Sequence, residues 1–207
     1  MVEKCNVPKS EVKFGGMPEA TGLNFFETDP NLAFLLRFYL PNVDYERARP
    51  LLWELGAVAG GELDELAREA DRHPPEFMAY DKRGERIDEI KYHPSYKRME
   101  EIGYSQFGLV AMSHRSGVMG WPTPFSKVLK YAFWYLFVQS EFGLCCPMSM
   151  TDSAAWVLEE FASPELKQKY LPFLTSTDMN ERLTAAQFMT EKQGGSDVGA
   201  NTLTAKK

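Results

Sequence analysis

A glycine-containing loop late in the sequence carries residue types that suit the binding of a cofactor. Positions 187–198 read Gln-Phe-Met-Thr-Glu-Lys-Gln-Gly-Gly-Ser-Asp-Val. The adjacent Gly194 and Gly195 allow backbone amides to approach a bound group closely, because neither residue has a Cβ in the way. Ser196 adds a hydroxyl donor suited to a phosphate, and the Thr190 hydroxyl could address the edge of a heterocycle. The spacing is compatible with a loop that holds one cofactor at two points.

The same residues also describe an ordinary turn that ends in an aspartate cap. On spacing alone this plainer interpretation is the stronger one, since short motifs recur by chance. Glu191 lies inside the loop, and we expect it to be a structural carboxylate that accepts backbone amides rather than a catalytic base.

Helical signals dominate the sequence before this loop. Prolines and glycines in residues 1–22 predict an extended arm. Asp29-Pro30 predicts a capped helix start, with the helix running through 31–39. From Asp44, apolar residues at helical spacing predict a long amphipathic helix that Gly60-Gly61 weakens and His73-Pro74-Pro75 ends.

The remaining segments continue this helical pattern and then change character. Residues 77–92 predict a hairpin or an extended loop, and helices are expected at 94–114, at 124–142 with burial nearly all round, and after Pro147. Ser163-Pro164 predicts a capped start for a helix over 165–171. The apolar run 183–189 and the alternating run 201–207 are typical of strands.

This order of elements predicts a mainly α protein that continues into a β-domain. We expect an arm and a short helix at 1–43, a helical domain at 44–182 and the start of a β-domain at 183–207. An incomplete sheet would expose an unpaired edge, so the chain is predicted to be a fragment of a longer product or an obligate oligomer.

Composition excludes several functional classes. The net charge of −6 and the pI near 5.2 argue against a nucleic-acid-binding surface in this segment. Three cysteines without metal-ligand spacing form no disulfide framework and fit a reducing cytoplasm. No stretch reaches the roughly 18 apolar residues expected of a membrane span.

Other candidate site residues have plain structural interpretations. His73, His93 and His114 show no ligand spacing, so we expect ordinary surface or loop histidines and no metal site. Cys145-Cys146 either borders a substrate pocket or packs beside a helix break, and both alternatives stay open. The aromatic residues of 131–137 are expected in the core.

Two motifs in register resemble those of the acyl-CoA dehydrogenases. They are Phe-Ala-Ser-Pro-Glu-Leu-Lys-Gln-Lys-Tyr-Leu-Pro at 161–172, and Leu-Thr-Ala-Ala-Gln at 183–187 followed by the loop at 189–198. The resemblance implies the N-terminal helical domain of that family, followed by the first strands of its middle, FAD-binding β-domain. Lys192 and Gln193 replace the usual proline and glycine. Together with segments 74–76, 80–84 and 144–151, they indicate the AidB-like, adaptive-response branch.

The resemblance also implies the roles of the loop residues. The residues that would line FAD are Gln187, Phe188, Met189, Thr190, Glu191, Lys192, Gln193, Gly194, Gly195 and Ser196. Thr190 would lie toward the isoalloxazine ring and Ser196 toward the pyrophosphate, with Ser196 also facing the phosphates of an acyl-CoA substrate.

In the implied reaction a carboxylate removes the α-proton of an acyl-CoA while the β-hydride passes to the flavin. That carboxylate would lie beyond Lys207, so no catalytic residue is predicted in this chain, which alone would be inactive. The alternative is an AidB-like flavoprotein with a structural flavin that binds DNA through a downstream region. The family further implies a homo-oligomer, commonly a tetramer.

Overall fold

The computed structural model describes residues 18–204 and residue 206. Seven α-helices dominate the described part: α1 Pro30–Tyr39, α2 Asn42–Val58, α3 Asp64–Arg72, α4 Pro94–Glu100, α5 Lys127–Val138, α6 Cys145–Phe161 and α7 Pro164–Leu174. Two strands, β1 Glu76–Tyr80 and β2 Arg86–Lys91, form an antiparallel hairpin. The predicted mainly α fold is confirmed. Most of the predicted N-terminal arm, residues 1–17, lies outside the described residues.

The helix starts predicted at Asp29-Pro30 and Ser163-Pro164 are confirmed by their capping bonds. The starts predicted at 44, at 124 and after 147 are wrong by two or three residues, because α2 begins at Asn42, α5 at Lys127 and α6 at Cys145. The Asp29 carboxylate accepts the backbone amide of Leu32 at 2.9 Å, and Pro30 opens α1. The Ser163 hydroxyl accepts the amide of Leu166 at 3.4 Å, and Pro164 opens α7. Each cap satisfies an amide that the first helical turn leaves without a partner.

The long helix predicted from Asp44 continues through its paired glycines rather than breaking there. A π-helical turn, Ala59–Leu63, joins α2 to α3. The segment before α1 crosses the helix at this turn, where the Gly22 amide donates to the Gly60 carbonyl. A Cβ on Gly60 would collide with the carbonyl group of Leu23, so this close crossing requires a glycine.

Helix α5 lies at the centre of the core. Phe133, Leu136 and Phe137 are fully buried, and the helix packs against α1 and α2. The expectation of burial all round was wrong, because the rings of Tyr131 and Tyr135 are 61% and 45% exposed. These two tyrosines lie on the side of α5 that no described element covers completely.

The helix predicted over 94–114 is shorter and less regular than expected. Helix α4 passes into a π-helical turn, Glu101–Gln106, and a 3-10 turn follows at Ala111–Ser113. Gly108 has a positive φ of 54° between these turns, a conformation that glycine adopts without steric penalty.

The strands predicted at 183–189 and 201–207 are not formed in the described residues. Segment 183–189 is irregular, and β1 pairs only with β2. A strand is defined by its ladder of hydrogen bonds, and no described neighbour offers segment 183–189 such a ladder. Among the described residues, no helix combines the length and the apolar character that a membrane crossing requires.

Candidate functional site

Three polar bonds fasten the segment that leads into the predicted cofactor loop. The Arg182 guanidinium donates to the Glu100 carboxylate at 2.6 Å, and the pair is almost buried. The Leu183 amide donates to the carbonyl of Phe173 at 3.1 Å. The Ala185 amide donates to the Thr151 hydroxyl at 3.2 Å. Helices α4, α6 and α7 therefore position this segment without a sheet.

An apolar cleft of about 620 Å³ opens between this segment and two helices. Helix α6 contributes Ala154, Val157 and Leu158, and α7 contributes Tyr170 and Leu174. Residues 183–189 form the opposite wall, so Gln187, Phe188 and Met189 from the predicted cofactor set line the cleft. Its size and apolar lining suit an organic ligand or an apolar surface that covers it.

The loop after this segment is organised around Glu191. The Glu191 amide donates to the Gly194 carbonyl at 2.8 Å, which closes a tight turn. The Glu191 carboxylate accepts the amides of Thr202 at 3.0 Å and Leu203 at 3.3 Å. Gln193 also bridges Glu191 and the Thr202 hydroxyl. Glu191 is thus the structural, amide-accepting carboxylate expected from the sequence.

The two adjacent glycines have different surroundings. Gly194 is buried, and a Cβ there would lie 2.6 Å from the carbonyl oxygen of Asp197 and would also collide with the Asn201 side chain. Gly195 is exposed, and its nearest neighbour would be Thr190 Cγ2 at 3.4 Å. Gly194 allows the loop to fold back on itself, whereas Gly195 leaves an open backbone surface beside Thr190.

The remaining loop groups face solvent. Phe188 is 97% exposed, and Thr190, Lys192, Gln193 and Ser196 are exposed as well. Within the described residues, no intramolecular hydrogen bond engages the Thr190 or Ser196 hydroxyl or the backbone amides of Gly195 and Ser196. These groups are available donors in the loop, and they fit a ligand that carries phosphate and a heterocycle.

A buried ionic network behind the cleft was missed by sequence reasoning. Asp152 on α6 contacts Lys130 Nζ at 2.5 Å and His114 Nε2 at 2.9 Å, and His114 Nδ1 lies 2.9 Å from the Glu159 carboxylate. The side chains of His114 and Lys130 are 1% and 2% exposed. His114 lies in a turn, as the loop alternative predicted, but its side chain is buried and ion-paired, so the surface alternative is wrong.

The network shifts the pKa of Asp152. Burial acts to raise this pKa, but hydrogen bonds from His114 and Lys130, with the Lys130 charge, lower it below its ordinary value. A signal for the network exists in the sequence, since Lys130 interrupts the apolar run 128–138 and Asp152 is the one charged residue between 142 and 158. A lone charge on a buried helix face requires a partner.

Neither residue of the cysteine pair lines the cleft, and only Cys145 packs in the core. Cys145 is buried, its thiol contacts the carbonyl oxygen of Glu141 at 3.3 Å, and burial raises its pKa to about 12. Cys146 is exposed. The packing alternative accounts for Cys145 without a bound substrate.

Comparison with known protein families and structures places this geometry in a wider context. Residues 16–181 match the family described as the adaptive response protein AidB N-terminal domain. The chain is 30% identical over 195 residues to acyl-CoA dehydrogenase family member 11 of Caenorhabditis elegans, which covers 91% of this chain. It is 32% identical over 154 residues to the putative acyl-CoA dehydrogenase AidB of Escherichia coli K12, which covers 69% of this chain.

Two solved structures share the fold. One is titled Bd2924 apo-form, with a TM-score of 0.77, 31% identity and 93% of this chain covered. The other is Caenorhabditis elegans ACDH-11 in complex with C11-CoA, with a TM-score of 0.75, 28% identity and 96% of this chain covered. The chain spans 31% and 27% of the two sequence relatives and 38% and 34% of the two structures.

Proposed function

Because the chain belongs to the AidB N-terminal domain family, whose relatives include acyl-CoA dehydrogenases, we propose that it forms the N-terminal part of an FAD-dependent oxidoreductase. In this proposal, residues 187–196 form one wall of the flavin site, and the substrate is an acyl-CoA or a related thioester. Helices α6 and α7 serve as the platform that holds this wall in place.

The proposal rests on a difference between two groups of loop residues: some build the turn, and others are exposed hydrogen-bond donors. Glu191 accepts backbone amides and Gly194 allows the close turn that builds the loop, whereas Thr190, Gly195 and Ser196 are exposed and offer donors to another molecule. A simple turn would need the residues that build the loop, Glu191 and Gly194. It would gain nothing from the exposed donors of Thr190, Gly195 and Ser196. Accessible hydroxyl and amide donors beside an apolar wall match the mixed chemistry of a dinucleotide.

The bound flavin would supply the hydride acceptor. The chain's own residues would bind and orient it, with the Thr190 hydroxyl toward the ring system and the Ser196 hydroxyl and amide toward the pyrophosphate. The exposed Phe188 and Met189 would exclude water along the same wall. Proton removal is not assigned to Glu191 or Asp152, because both carboxylates are engaged within the protein.

The substrate class follows from the relatives and from the cleft. A similar structure holds C11-CoA, and a cleft of about 620 Å³ with apolar walls could accommodate part of an acyl chain. The Ser196 hydroxyl would also face the phosphates of the CoA moiety.

Flavin retention by the intact protein tests the proposal. We expect flavin absorbance in the protein purified under gentle conditions, and weaker FAD affinity in Thr190→Val and Ser196→Ala, because each variant removes one donor. Ser116→Ala is the matched control, since Ser116 is exposed and lies outside the loop. An intact protein that neither retains FAD nor binds it when added would overturn the proposal.

DNA binding is the second role that the AidB-like resemblance implies. The net charge of −6 does not favour it in this segment, so any contact would be made by a region outside it. A gel shift of the intact protein that weakens steeply with salt would support this role, and the absence of any shift at low salt would argue against it. The homo-oligomer also stays a prediction, which light scattering of the intact protein tests.

A further inference from the structure

Two histidines that are distant in sequence meet beside a carboxylate at the base of the hairpin. His73 follows the last turn of α3, and His93 caps the start of α4. Their rings stack with centroids 4.5 Å apart and planes 14° apart. Glu69 lies one helical turn before His73, and one ligand atom from each of the three side chains lies within 4.8 Å of the others.

The hydrogen bonds of the two rings leave suitable nitrogen atoms for a ligand. His73 Nδ1 lies 2.9 Å from the carbonyl oxygen of Glu69, to which it can donate. His93 Nδ1 lies 3.1 Å from the Ser95 hydroxyl and 3.3 Å from the Ser95 amide, whose hydrogen it accepts when it caps α4. Metal binding through Nε2 requires the other tautomer, in which Nδ1 donates to the Ser95 hydroxyl and the cap is given up. A histidine that binds a metal through Nε2 commonly donates its Nδ1 hydrogen to a carbonyl or another acceptor in this way, which orients the ring.

We propose that Glu69, His73 and His93 form a binding site for a divalent transition cation, with Zn²⁺ as the natural candidate. Two imidazoles and one carboxylate are a ligand set that Zn²⁺ accepts, with a further position open to water. Ligands on one zinc ion lie roughly 3 to 4 Å apart. The ligand atoms, which lie within 4.8 Å of one another, must therefore approach, and the two stacked rings must turn so that their nitrogen lone pairs converge on the ion. His73 and Glu69 are 51% and 43% exposed and have room for this adjustment.

The positive charge of Arg72 lies close to Glu69 and would compete only weakly with a cation for this carboxylate. Arg72 lies 3.7 Å from the Glu69 carboxylate, but its side chain is 73% exposed. An exposed ion pair of this kind is weak in water and can separate readily. The carboxylate can therefore turn from Arg72 to the metal.

The position of the site gives the cation a structural role. Strands β1 and β2 lie entirely between His73 and His93, so one ion would close this loop at its base. Most hairpin residues are exposed, and few buried contacts hold them in place. A cross-link between the loop ends would stabilise the hairpin by restricting the open chain. This proposal does not depend on flavin binding.

Calorimetric titration of the metal-free chain with Zn²⁺ tests the site. We expect one ion per chain, with affinity reduced at least about tenfold in His73→Ala and in His93→Ala, because each variant loses one of three ligands. Glu69→Gln should also weaken binding. Glu65→Gln is the matched control, since Glu65 lies one turn earlier on α3 and is exposed. Its affinity should equal that of the unsubstituted chain.

Two further readouts separate this site from binding at a thiol. Co²⁺ should give a visible spectrum without a sulfur charge-transfer band, and Zn²⁺ should slow hydrogen exchange of the β1 and β2 amides. Circular dichroism checks that each variant is folded. Zn²⁺ affinity retained by a folded His73→Ala/His93→Ala variant, or binding lost in Cys146→Ser, would overturn the proposal.

Discussion

The helical bundle and the loop after it differ in how their polar groups are placed. In the bundle, Asp152 is enclosed and satisfied by Lys130 and His114. In the loop, Thr190 and Ser196 are exposed, and within the described residues no hydrogen bond engages their hydroxyls. The first arrangement stabilises a fold, and the second leaves donors for another molecule. The cost of a substitution should therefore depend strongly on the region in which it falls.

Removing the central charge of the bundle should have the largest effect on stability. Asp152→Asn leaves Lys130 buried without its counter-ion, and breaking one side of a buried pair costs about 3 to 5 kcal/mol. Urea unfolding followed by circular dichroism measures this loss. Asp197→Asn is the matched control, since Asp197 is exposed, and its unfolding free energy should change by less than about 0.5 kcal/mol.

Lowering the pH should gradually remove the stabilisation that the ionised Asp152 carboxylate provides. The pKa of Asp152 is lower in the folded protein than its ordinary value, which is about 3.9 in an unfolded chain. Its contribution is therefore complete above that value and is lost as the pH falls through the folded-state pKa. The stability difference between the unsubstituted chain and Asp152→Asn should shrink over this acid range. A difference independent of pH would show that the Asp152 charge contributes nothing.

The paired glycines of the π-helical turn should respond differently to the same change. Gly60→Ala forces a methyl group against Leu23 and should cost about 1 to 3 kcal/mol. Gly61 has no atom within 4 Å of its would-be Cβ, so Gly61→Ala should be neutral or stabilise the helix by up to about 1 kcal/mol. Equal thermal stabilities of the two variants would contradict the close crossing at Gly60.

Phe188 should show the smallest effect on folding. Its ring is 97% exposed, so Phe188→Ala should change the free energy of unfolding by no more than about 0.5 kcal/mol. Phe133→Ala is the buried counterpart and should cost about 3 to 5 kcal/mol. We also expect Phe188→Ala to weaken FAD binding by the intact protein. The pair of variants would then separate a residue that stabilises the fold, Phe133, from one that binds the ligand, Phe188.

Local signals explain which parts of the fold were predictable. The caps at Asp29 and Ser163 depend on bonds between residues three positions apart, so their sequence patterns were sufficient. Residues 77–92 predicted a hairpin or an extended loop, and the pairing of β1 with β2 is the first of these alternatives. The prediction of a strand at 183–189 was wrong, because a strand needs a neighbouring strand to hydrogen-bond with and local propensity does not supply one.

The sequence by itself determined the mainly α class, the capped helix starts at Asp29 and Ser163 and the family resemblance, because these rest on short-range patterns and on motif order. Only the tertiary structure decided which residues meet. It joined His114 to Asp152 across 38 positions and brought His73 beside His93. Such contacts depend on packing between distant segments, and no local spacing in the chain encodes them.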